Sequence, residues 1–393
     1  MIIKKKIAIV GGLGHVGLPL SFSLALKKFD VTSIDIDTKK IEKIKKNILP
    51  FKEKGLLKII KLQKKLKIRF TNKYDCINKS DVIFITLGTP IDEYFNPDLN
   101  FFFNAFKKII PFLKNGQIII LRSTVFPGTT RKLESILKDK KLNVSLAFCP
   151  ERISQGNGIK ELAELPQIIS ASDTKTFNIC VKIFKSLTNK IIKTSYEEAE
   201  IAKLFCNTWR YIKFAIANQF YTICKDKNLD FEKIRNAMIY KYDRAKDFPN
   251  SGFSAGPCLL KDTMQLSAYS RQLFTFGHSA MLVNENLPEF LISDLKKTRK
   301  IINLKVGILG MAFKPNNDDR RDSLAFKLKK KLEYEGCKVF CTDVYMKDKF
   351  LVSTKEILNK CDIIFIGCPH DEYKGIKFNK KIKVIDCWGS VAQ

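Results

Sequence analysis

The stretch IAIVGGLGHVGLPL, residues 7–20, decides the fold of the first part of this chain. A short β-branched run leads directly into a glycine-rich turn, and an amphipathic helical pattern follows at once. Gly12 permits a tight turn, Gly14 lets backbone N–H groups approach a pyrophosphate, and Gly17 allows a helix to pack closely on a strand. The stretch therefore predicts a strand, a dinucleotide-binding turn and a helix.

The next strand-like run indicates which dinucleotide binds. VTSID, residues 31–35, ends in Asp35, and a carboxylate about 20 residues beyond the glycines can accept hydrogen bonds from a ribose diol. It would also repel a 2′-phosphate, which favours NAD over NADP, although Lys40 is a nearby cation that could tolerate phosphate. The glycine pattern alone would fit FAD as well. We expect NAD.

The composition bounds the class of protein. A chain of 393 residues suggests two or three domains. Its eleven cysteines show no CxxC pairs or metal-ligand spacing, and the lysine-rich N-terminus lacks a signal-peptide core, which predicts a reduced, cytoplasmic protein without a bound metal. Apolar runs such as residues 118–121 are far shorter than the roughly 18 residues of a membrane span, so we expect no membrane association.

The net charge of +30 would suit a nucleic-acid partner, because a basic face is the usual footprint of one. The lysines are spread through nearly every segment, however, as in KKIEKIKK (39–46) and KLKKKLE (327–333), and no nucleic-acid-binding signature accompanies them. We expect solvated helix faces and no nucleic-acid partner.

The order of apolar runs predicts an α/β fold. Strand-like runs alternate with lysine-rich helical periods at both ends of the chain, and helical periods fill the middle, the longest over about 197–225. We predict two Rossmann-like domains joined by a long central helix and a small helical domain. The predicted bounds are 1–195 for the N-terminal NAD-binding domain, 196–300 for the central helical domain and 301–393 for the C-terminal domain.

Polar residues stand where packing alone would not require them. Thr124 in STVFPGTT (123–130) and Glu151 in CPERISQG (149–156) follow predicted strands, and open α/β sheets bind ligands at the carboxyl ends of their strands. Lys203 and Asn207 are four residues apart and project from one helix face. Each of these observations is weak evidence alone. A lysine and an asparagine four residues apart, for example, usually lie on the solvent-exposed face of a helix.

The stretch AGPCLLKD, residues 255–262, offers a candidate nucleophile. If a helix begins at the Gly-Pro turn, Cys258 and Asp262 share one face of it. A thiol at a helix N-terminus and near Lys203 favours the thiolate, which is the reactive form. In a dehydrogenase, such a cysteine can hold an aldehyde as a thiohemiacetal that is oxidised again to a thioester.

Seven motifs stand in the order found in one enzyme family: GGLGHVGLPL (11–20), GTP (88–90), STVFPGTT (123–130), CPER (149–152), AEIAKLFCN (199–207), GPCLLKD (256–262) and GMAFKPNNDDRRDS (310–323). From about residue 5 to the C-terminus the chain resembles the UDP-glucose/GDP-mannose dehydrogenase family of NAD-dependent four-electron oxidoreductases. The resemblance implies an N-terminal Rossmann domain, a helical dimerisation core and a C-terminal domain that holds the sugar nucleotide.

The resemblance also implies residue roles. Cys258 matches the nucleophile, and Lys203, Asn207 and Asp262 match its polar support. Thr124 and Glu151 match the residues that handle water and protons. The implied cofactor-binding residues are Gly12, Gly14, His15, Val16, Gly17, Asp35, Lys40, Thr89, Pro90, Thr124 and Arg321. The implied substrate-binding residues are Glu151, Lys203, Asn207, Arg244, Phe253, Gly256, Phe313 and Lys314, with Arg244 offered across a dimer.

The implied reaction is the oxidation of C6 of a UDP-sugar to a uronic acid for polysaccharide biosynthesis, as in UDP-glucose 6-dehydrogenases. Three departures leave UDP-N-acetylhexosamine or GDP-mannose as alternatives. The loop reads AGPC where relatives show Gly-Gly-Ser-Cys, Gln155 replaces an acid, and Trp388 stands where UDP-glucose enzymes often have a substrate-contacting arginine. A two-electron hydroxyacid dehydrogenase, which has no use for Cys258, and a sugar-nucleotide sensor or nucleic-acid binder are the remaining rivals.

The long helix predicts a homodimer. Its aromatic residues are expected to be exposed on more than one face of the helix. This is more apolar surface than a contact with one domain would bury. The aromatic residues are Phe205, Trp209, Tyr211, Phe214, Phe220 and Tyr221.

Overall fold

The computed structural model describes residues 5–92, 94, 96–254, 256–270 and 273–391. Ala255 of the AGPC loop lies outside the described residues. The chain forms two compact units, Met1–Cys206 and Asn207–Gln393.

The first unit is built on an eight-stranded sheet in the order β3-β2-β1-β4-β5-β6-β7-β8. Neighbouring strands run parallel, except that β7 is antiparallel to β6. The strands are β1 (Lys6–Val10), β2 (Asp30–Ile34), β3 (Ile68–Thr71), β4 (Val82–Ile85), β5 (Ile118–Leu121), β6 (Ser145–Phe148), β7 (Gln167–Ala171) and β8 (Ile191–Lys193). The predicted α/β fold with a mostly parallel sheet is confirmed.

Helices cover both faces of this sheet. They are α1 (Gly17–Leu26), α2 (Thr38–Lys45), α3 (Leu56–Ile60), α4 (Leu99–Lys107), α5 (Thr129–Asp139), α6 (Gly158–Glu164) and α7 (Thr174–Lys185). In β1 the side chains of Ala8 and Val10 enter one hydrophobic cluster, and those of Ile7 and Ile9 enter another. Because a parallel strand is buried on both faces, it reads as an unbroken apolar run, which made β1 visible in the sequence.

The predicted long helix is α8 (Tyr196–Asp226). Its aromatic side chains are divided between the core and the surface. Tyr211 and Tyr221 are buried in this chain, so the expectation that they are exposed was wrong. Phe205, Trp209 and Phe220 are 56%, 58% and 40% exposed.

The second unit holds a smaller parallel sheet in the order β10-β9-β11-β12. Beyond α8 its elements are α9 (Phe231–Ile239), α10 (Leu259–Ser270), α11 (Phe276–Thr298), β9 (Lys305–Leu309), α12 (Leu324–Tyr334), β10 (Lys338–Thr342), α13 (Thr354–Lys360), β11 (Ile363–Ile366) and β12 (Lys383–Ile385). This is the second Rossmann-like sheet that the sequence predicted. Within the described residues, we find no helix with the length and apolar character to cross a membrane.

In both sheets, an aspartate directly after a strand accepts a backbone N–H from the loop after the first strand. In the first, Asp35 follows β2 and accepts the backbone N–H of Leu13, 3.0 Å away, from the loop after β1. In the second, Asp343 follows β10 and accepts the N–H of Met311, 2.7 Å away, from the loop after β9. Burial opposes ionisation of Asp343, but hydrogen bonding and charge from His370 and further backbone N–H groups lower its pKa to about 2. A carboxylate thus fixes the first loop at the carboxyl edge of each sheet.

Candidate active site

The glycine-rich turn between β1 and α1 leaves room for a dinucleotide. A Cβ added to Gly12 would come within 3.0 Å of the Ser33 side chain in β2, and one added to Gly17 would collide with the Gly11 carbonyl. The packing of the protein itself therefore requires these two glycines. A Cβ at Gly14 would come no closer than 3.4 Å to its nearest neighbour. The absence of a side chain at Gly14 is better explained by a ligand that approaches the backbone.

Asp35 is fixed at the edge of this turn. One carboxylate oxygen accepts the N–H of Leu13 and the other accepts that of Asp37, each at 3.0 Å. Each oxygen keeps a second lone pair for a ribose hydroxyl. The Lys40 ammonium lies 3.6 Å from the Asp37 carboxylate, so a 2′-phosphate would meet two carboxylates and a cation that is already paired. The arrangement fits NAD better than NADP.

The other predicted cofactor residues of this unit lie in loops that follow β1, β4 and β5, which are neighbours in the sheet. The His15 ring contacts that of Phe51 at 4.0 Å between centroids, and Val16 directly precedes α1. The Thr89 hydroxyl donates to the Thr124 carbonyl over 2.6 Å and so joins two of these loops. The Pro90 carbonyl closes the loop by accepting the N–H of Asp98 at 3.0 Å.

Glu151 is held in a buried polar network that the sequence did not reveal. Its carboxylate pairs with the guanidinium of Arg122 and accepts the N–H groups of Arg152 and Ile153 at 2.8 and 3.1 Å. The Arg122 side chain is fully enclosed and also donates to the Gln167 side chain over 3.0 Å. Burial lowers the pKa of Arg122 to about 10, so it remains charged at neutral pH.

A second carboxylate that sequence reasoning missed ties the STVFPGTT loop to α8. Glu200, 1% exposed, accepts the N–H groups of Gly128 and Thr130 at 2.6 and 2.9 Å at the start of α5. Burial raises the pKa of this carboxyl group, although the hydrogen bonds oppose the shift. Lys203 and Asn207, which follow on α8, are 8% and 5% exposed. The predicted Lys/Asn pair is therefore buried and not a solvated face.

Cys258 stands at the start of a helix, as predicted. It immediately precedes α10, and its carbonyl accepts the N–H of Asp262 at 2.9 Å. All eleven cysteines lie in the described part of the chain as thiols, and Cys258 alone among them is exposed. Burial raises the pKa of Cys341 to about 12 and that of Cys361 to about 11, which makes such thiols inert. Exposure and a place at the positive end of the helix distinguish Cys258 from the other cysteines, and both favour a reactive thiol.

Asp262 contacts a second predicted site residue, Asn207. Its buried carboxylate accepts a hydrogen bond from the Asn207 amide at 2.6 Å and pairs with the Lys261 ammonium at 2.5 Å. Charged groups inside a protein are tolerated when they are paired in this way. The carboxylate therefore orients the Asn207 side chain near the start of α10.

Arg321, predicted to reach the cofactor, lies close enough to Cys258 for their charges to interact. Its guanidinium forms a fork with Asp319, with donor–acceptor distances from 2.6 to 3.1 Å. These hydrogen bonds raise the pKa of Arg321, and the charge of a Cys258 thiolate acts in the same direction. A nearby cation stabilises a thiolate, so Arg321 favours the ionised form of the Cys258 thiol.

The predicted substrate residues after α9 are buried or half-buried, except for one exposed arginine. Phe253 is 3% exposed, and the N–H of Gly256 donates to the Asp322 carbonyl at 3.3 Å. Phe313 and Lys314 are half-buried in the loop after β9. Arg244 is exposed after α9, with its guanidinium 6.0 Å from the Tyr242 ring centroid. Across the ranges that the structure describes, no group of three or more His, Cys, Asp or Glu side chains could hold a metal ion.

Comparison with protein families assigns each part of the chain. The NAD binding domain of the UDP-glucose/GDP-mannose dehydrogenase family matches residues 5–188. The central domain of that family matches residues 197–286, and its UDP binding domain matches residues 307–392. NAD is therefore the cofactor, as the sequence predicted.

Individual relatives agree with this assignment. UDP-N-acetyl-D-mannosamine dehydrogenase of Methanocaldococcus jannaschii is 34% identical over 383 residues, which cover 95% of this chain and 87% of the relative. The structure of UDP-D-ManNAc dehydrogenase from Pyrococcus horikoshii has a TM-score of 0.91 at 26% identity, covering 99% and 96% of the two chains. That of a UDP-glucose dehydrogenase from Pyrobaculum islandicum has a TM-score of 0.89 at 21% identity, covering 99% and 95%, and shows the shared fold. The chain belongs to the UDP-glucose/GDP-mannose dehydrogenase family, and it is an NAD-dependent nucleotide-sugar dehydrogenase.

Proposed function

We propose that this protein oxidises C6 of UDP-N-acetyl-D-mannosamine to the uronic acid with two molecules of NAD. The observation that carries the four-electron course is the exposed Cys258 at the start of α10, beside the Asn207–Asp262 pair. The sugar is proposed from the relative of 34% identity, which is named for UDP-N-acetyl-D-mannosamine. These comparisons favour the N-acetylhexosamine alternative over the UDP-glucose expectation.

The chemistry follows from the nucleophile. NAD, held at the turn that contains Gly14 and Asp35, would supply the hydride acceptor. Two NAD molecules used in succession would take up the four electrons that separate an alcohol from an acid. Cys258 adds to the C6 aldehyde, so that a carbon–sulfur bond forms as the carbonyl oxygen becomes an oxyanion. We assign stabilisation of this oxyanion to Asn207 and to Lys203, one turn earlier on α8.

Hydrolysis completes the proposed reaction. After the second oxidation the sugar is held on Cys258 as a thioester. A water molecule, positioned by Thr124, attacks the thioester carbonyl while Glu151 accepts a proton from that water. The carbon–sulfur bond then breaks and releases the acid and the Cys258 thiolate. One alcohol, one water and two NAD⁺ thus give one carboxylate, two NADH and three protons. We place the remaining predicted residues, Arg244, Phe253, Gly256, Phe313 and Lys314, around the substrate.

A substrate panel tests this proposal. The protein is incubated with NAD and, in turn, UDP-ManNAc, UDP-GlcNAc, UDP-glucose and GDP-mannose, and both NADH and the uronic acid are measured. We expect two NADH for each UDP-ManNAc consumed and a kcat/KM at least about tenfold above that for UDP-glucose. A higher kcat/KM with UDP-glucose would overturn the sugar assignment alone. No NADH from any of the four would overturn the proposed activity.

We further propose the predicted domain bounds of 1–195, 196–300 and 301–393 and a homodimer formed through α8. Apolar side chains remain exposed on this helix: Ile216 is 39%, Phe220 40% and Ile223 50% exposed. Ile223 also lines a groove of about 600 Å³ with Leu282 and Phe290 of α11. Exposed apolar side chains grouped on one helix favour association, and a second copy of the helix is the proposed occupant of this surface.

The dimer is tested by placing a charge on this surface. We expect light scattering to give about twice the mass of one chain, and Ile223→Lys to shift the protein towards the monomer because it buries a charge in the interface. Tyr334→Lys is the matched control, since Tyr334 is 91% exposed on α12, and it should leave the mass unchanged. A monomeric wild-type protein at micromolar concentration would remove this proposal and the role of Arg244 across the dimer.

A further inference from the structure

The segment that leads to Cys258 is held by side chains from distant parts of the second unit. Ser251, Phe253 and Ser254 are 1%, 3% and 6% exposed. The Ser251 hydroxyl donates to the Cys387 carbonyl, which follows β12. The described residues of this connecting segment, 251–254 and 256, are therefore buried, although none of them belongs to a helix or strand.

Trp388 packs directly on Gly252. A Cβ added at Gly252 would come within 3.0 Å of three ring atoms of Trp388, so only glycine fits beneath this ring. Gly252 also has a φ of +144°, a conformation that L side chains rarely adopt. The Trp388 indole N–H donates to the Ile366 carbonyl at 3.1 Å at the end of β11. The ring is thereby oriented by the second sheet.

The side chain of Asn218 in α8 forms hydrogen bonds with the backbone of Gly252. Its side-chain oxygen accepts the N–H of Gly252 at 2.8 Å, and its side-chain nitrogen donates to the carbonyl of the same residue at 3.0 Å. That nitrogen also donates to Asn284 of α11 at 2.8 Å. Both asparagines are at most 1% exposed, and each amide is oriented by the other. Gly252 is thus fixed from the ring side and from the backbone.

A second glycine nearer to Cys258 is held in a similar way. Gly256 has a φ of +103°, and an added Cβ would collide with the ring of Phe313. Its N–H donates to the Asp322 carbonyl at 3.3 Å. Phe313 and Trp388 follow β9 and β12 of one sheet. Two aromatic residues at the carboxyl edge of the second sheet therefore pack against two glycines of the segment that precedes Cys258.

We propose that Trp388 is a positioning residue for the nucleophile. By packing on Gly252, and with the help of the contact between Phe313 and Gly256, it holds Cys258 at the start of α10. This proposal rests on the assigned role of Cys258. It also explains the departure at position 388, because a ring packed on Gly252 and bonded to Ile366 serves the scaffold in place of a substrate-contacting arginine. The C-terminal sheet thereby acts on catalysis through the nucleophile segment.

The first test measures the reactivity of Cys258 directly. The full-length protein and its Trp388→Ala variant are treated with iodoacetamide at pH 7, and alkylation of the Cys258 peptide is followed by mass spectrometry. Because Cys258 is exposed already, its rate depends on how well the thiolate is held at the helix start. We expect alkylation to slow at least about threefold and kcat to fall roughly 10- to 100-fold, with the KM for NAD within twofold of wild type.

The controls separate positioning from folding. Phe350→Ala removes an aromatic residue of the same unit that packs against Phe326, 6.0 Å between ring centroids. Trp388→Phe keeps a ring over Gly252 and should restore at least half of the lost alkylation rate. If Trp388→Ala lowers the melting temperature as Phe350→Ala does but leaves alkylation and kcat within twofold of that control, the proposal is wrong. Because alkylation needs no substrate, this outcome is distinct from failure of the proposed function.

A double-mutant cycle keeps the proposal testable if Trp388→Ala folds poorly. Gly252→Ala places a methyl group against the Trp388 ring, whereas Trp388→Leu provides room for it. We expect Gly252→Ala to slow Cys258 alkylation at least about threefold more in the wild-type background than in Trp388→Leu. The strain of a positive φ is the same in both backgrounds and cancels in the comparison. Equal effects in the two backgrounds would show that the ring does not act through Gly252.

Discussion

Replacing Cys258 with alanine is expected to lower the rate of uronic acid formation by about three orders of magnitude or more. Without the sulfur no thiohemiacetal forms, so the second oxidation has no covalent substrate. NADH production should fall below two per sugar, with at most one formed if the first oxidation still proceeds. Quantifying NADH and acid in the same reaction with UDP-ManNAc measures both effects.

Cys76→Ala is the matched control for this prediction. Cys76 is a half-buried thiol of the first unit, and no part in the chemistry is assigned to it. Because burial raises its pKa, less of it is present as the reactive thiolate. We expect its kcat to stay within twofold of wild type. A Cys258→Ala protein that still forms two NADH per sugar at more than a tenth of the wild-type rate would overturn the assigned role of Cys258. One NADH per substrate from both the wild type and Cys258→Ala, at similar rates, would instead favour the two-electron hydroxyacid dehydrogenase chemistry, in which no cysteine acts.

The strands that could be predicted are those buried on both faces. β4 and β5 are buried at every position, and their sequences are unbroken apolar runs. β3 and β8 escaped prediction because they are short and partly exposed, with lysines in and beside them. β7 follows Pro166 and returns antiparallel to β6, a reversal that strand–helix alternation does not indicate.

The geometry of the candidate site was predictable where a contact depends on local spacing. Cys258 and Asp262 are joined through the first turn of one helix, and the glycines of the cofactor turn follow a strand directly. Contacts across the fold could not be inferred from spacing. Glu200 accepts hydrogen bonds from the start of α5, about 70 residues earlier in the chain. Trp388, which follows β12, packs on Gly252 in the segment before α10. Such contacts depend on sheet order, which one sequence does not specify.

Arg122 illustrates this limit. In the sequence it ends an apolar run and could be a strand terminus that turns to solvent. Its partner Glu151 follows β6, the neighbour of β5 in the sheet, and this adjacency brings the two charges together out of contact with water. A buried pair of this kind makes removal of either partner costly, since the other charge stays in the interior.

Arg122→Met is therefore expected to destabilise the protein by about 3–5 kcal/mol. The Glu151 carboxylate would keep only its two backbone N–H donors, and the Gln167 oxygen would lose its arginine. For a unit of this size, the melting temperature should fall roughly 6–20 °C. Differential scanning fluorimetry of the full-length protein measures the shift.

Arg131→Met is the matched control for Arg122→Met. Arg131 also pairs with glutamate, with Glu197 at 2.9 Å, but its side chain is 58% exposed. An exposed pair contributes at most about 1 kcal/mol, so the melting temperature should change by a few degrees at most. Equal losses in the two variants would mean that the Arg122 pair is no more important to stability than a surface one.

The double variant Arg122→Met/Glu151→Gln separates stability from catalysis. With both charges removed, no unpaired charge remains in the interior, and the loss of stability should be much smaller than the sum of the two single losses. If Glu151 accepts the proton of the hydrolytic water, the recovered stability will bring no recovery of uronic acid formation, because a glutamine cannot act as that base. Recovery of activity together with stability would instead assign Glu151 a purely structural role, and thioester hydrolysis would have to depend on another group.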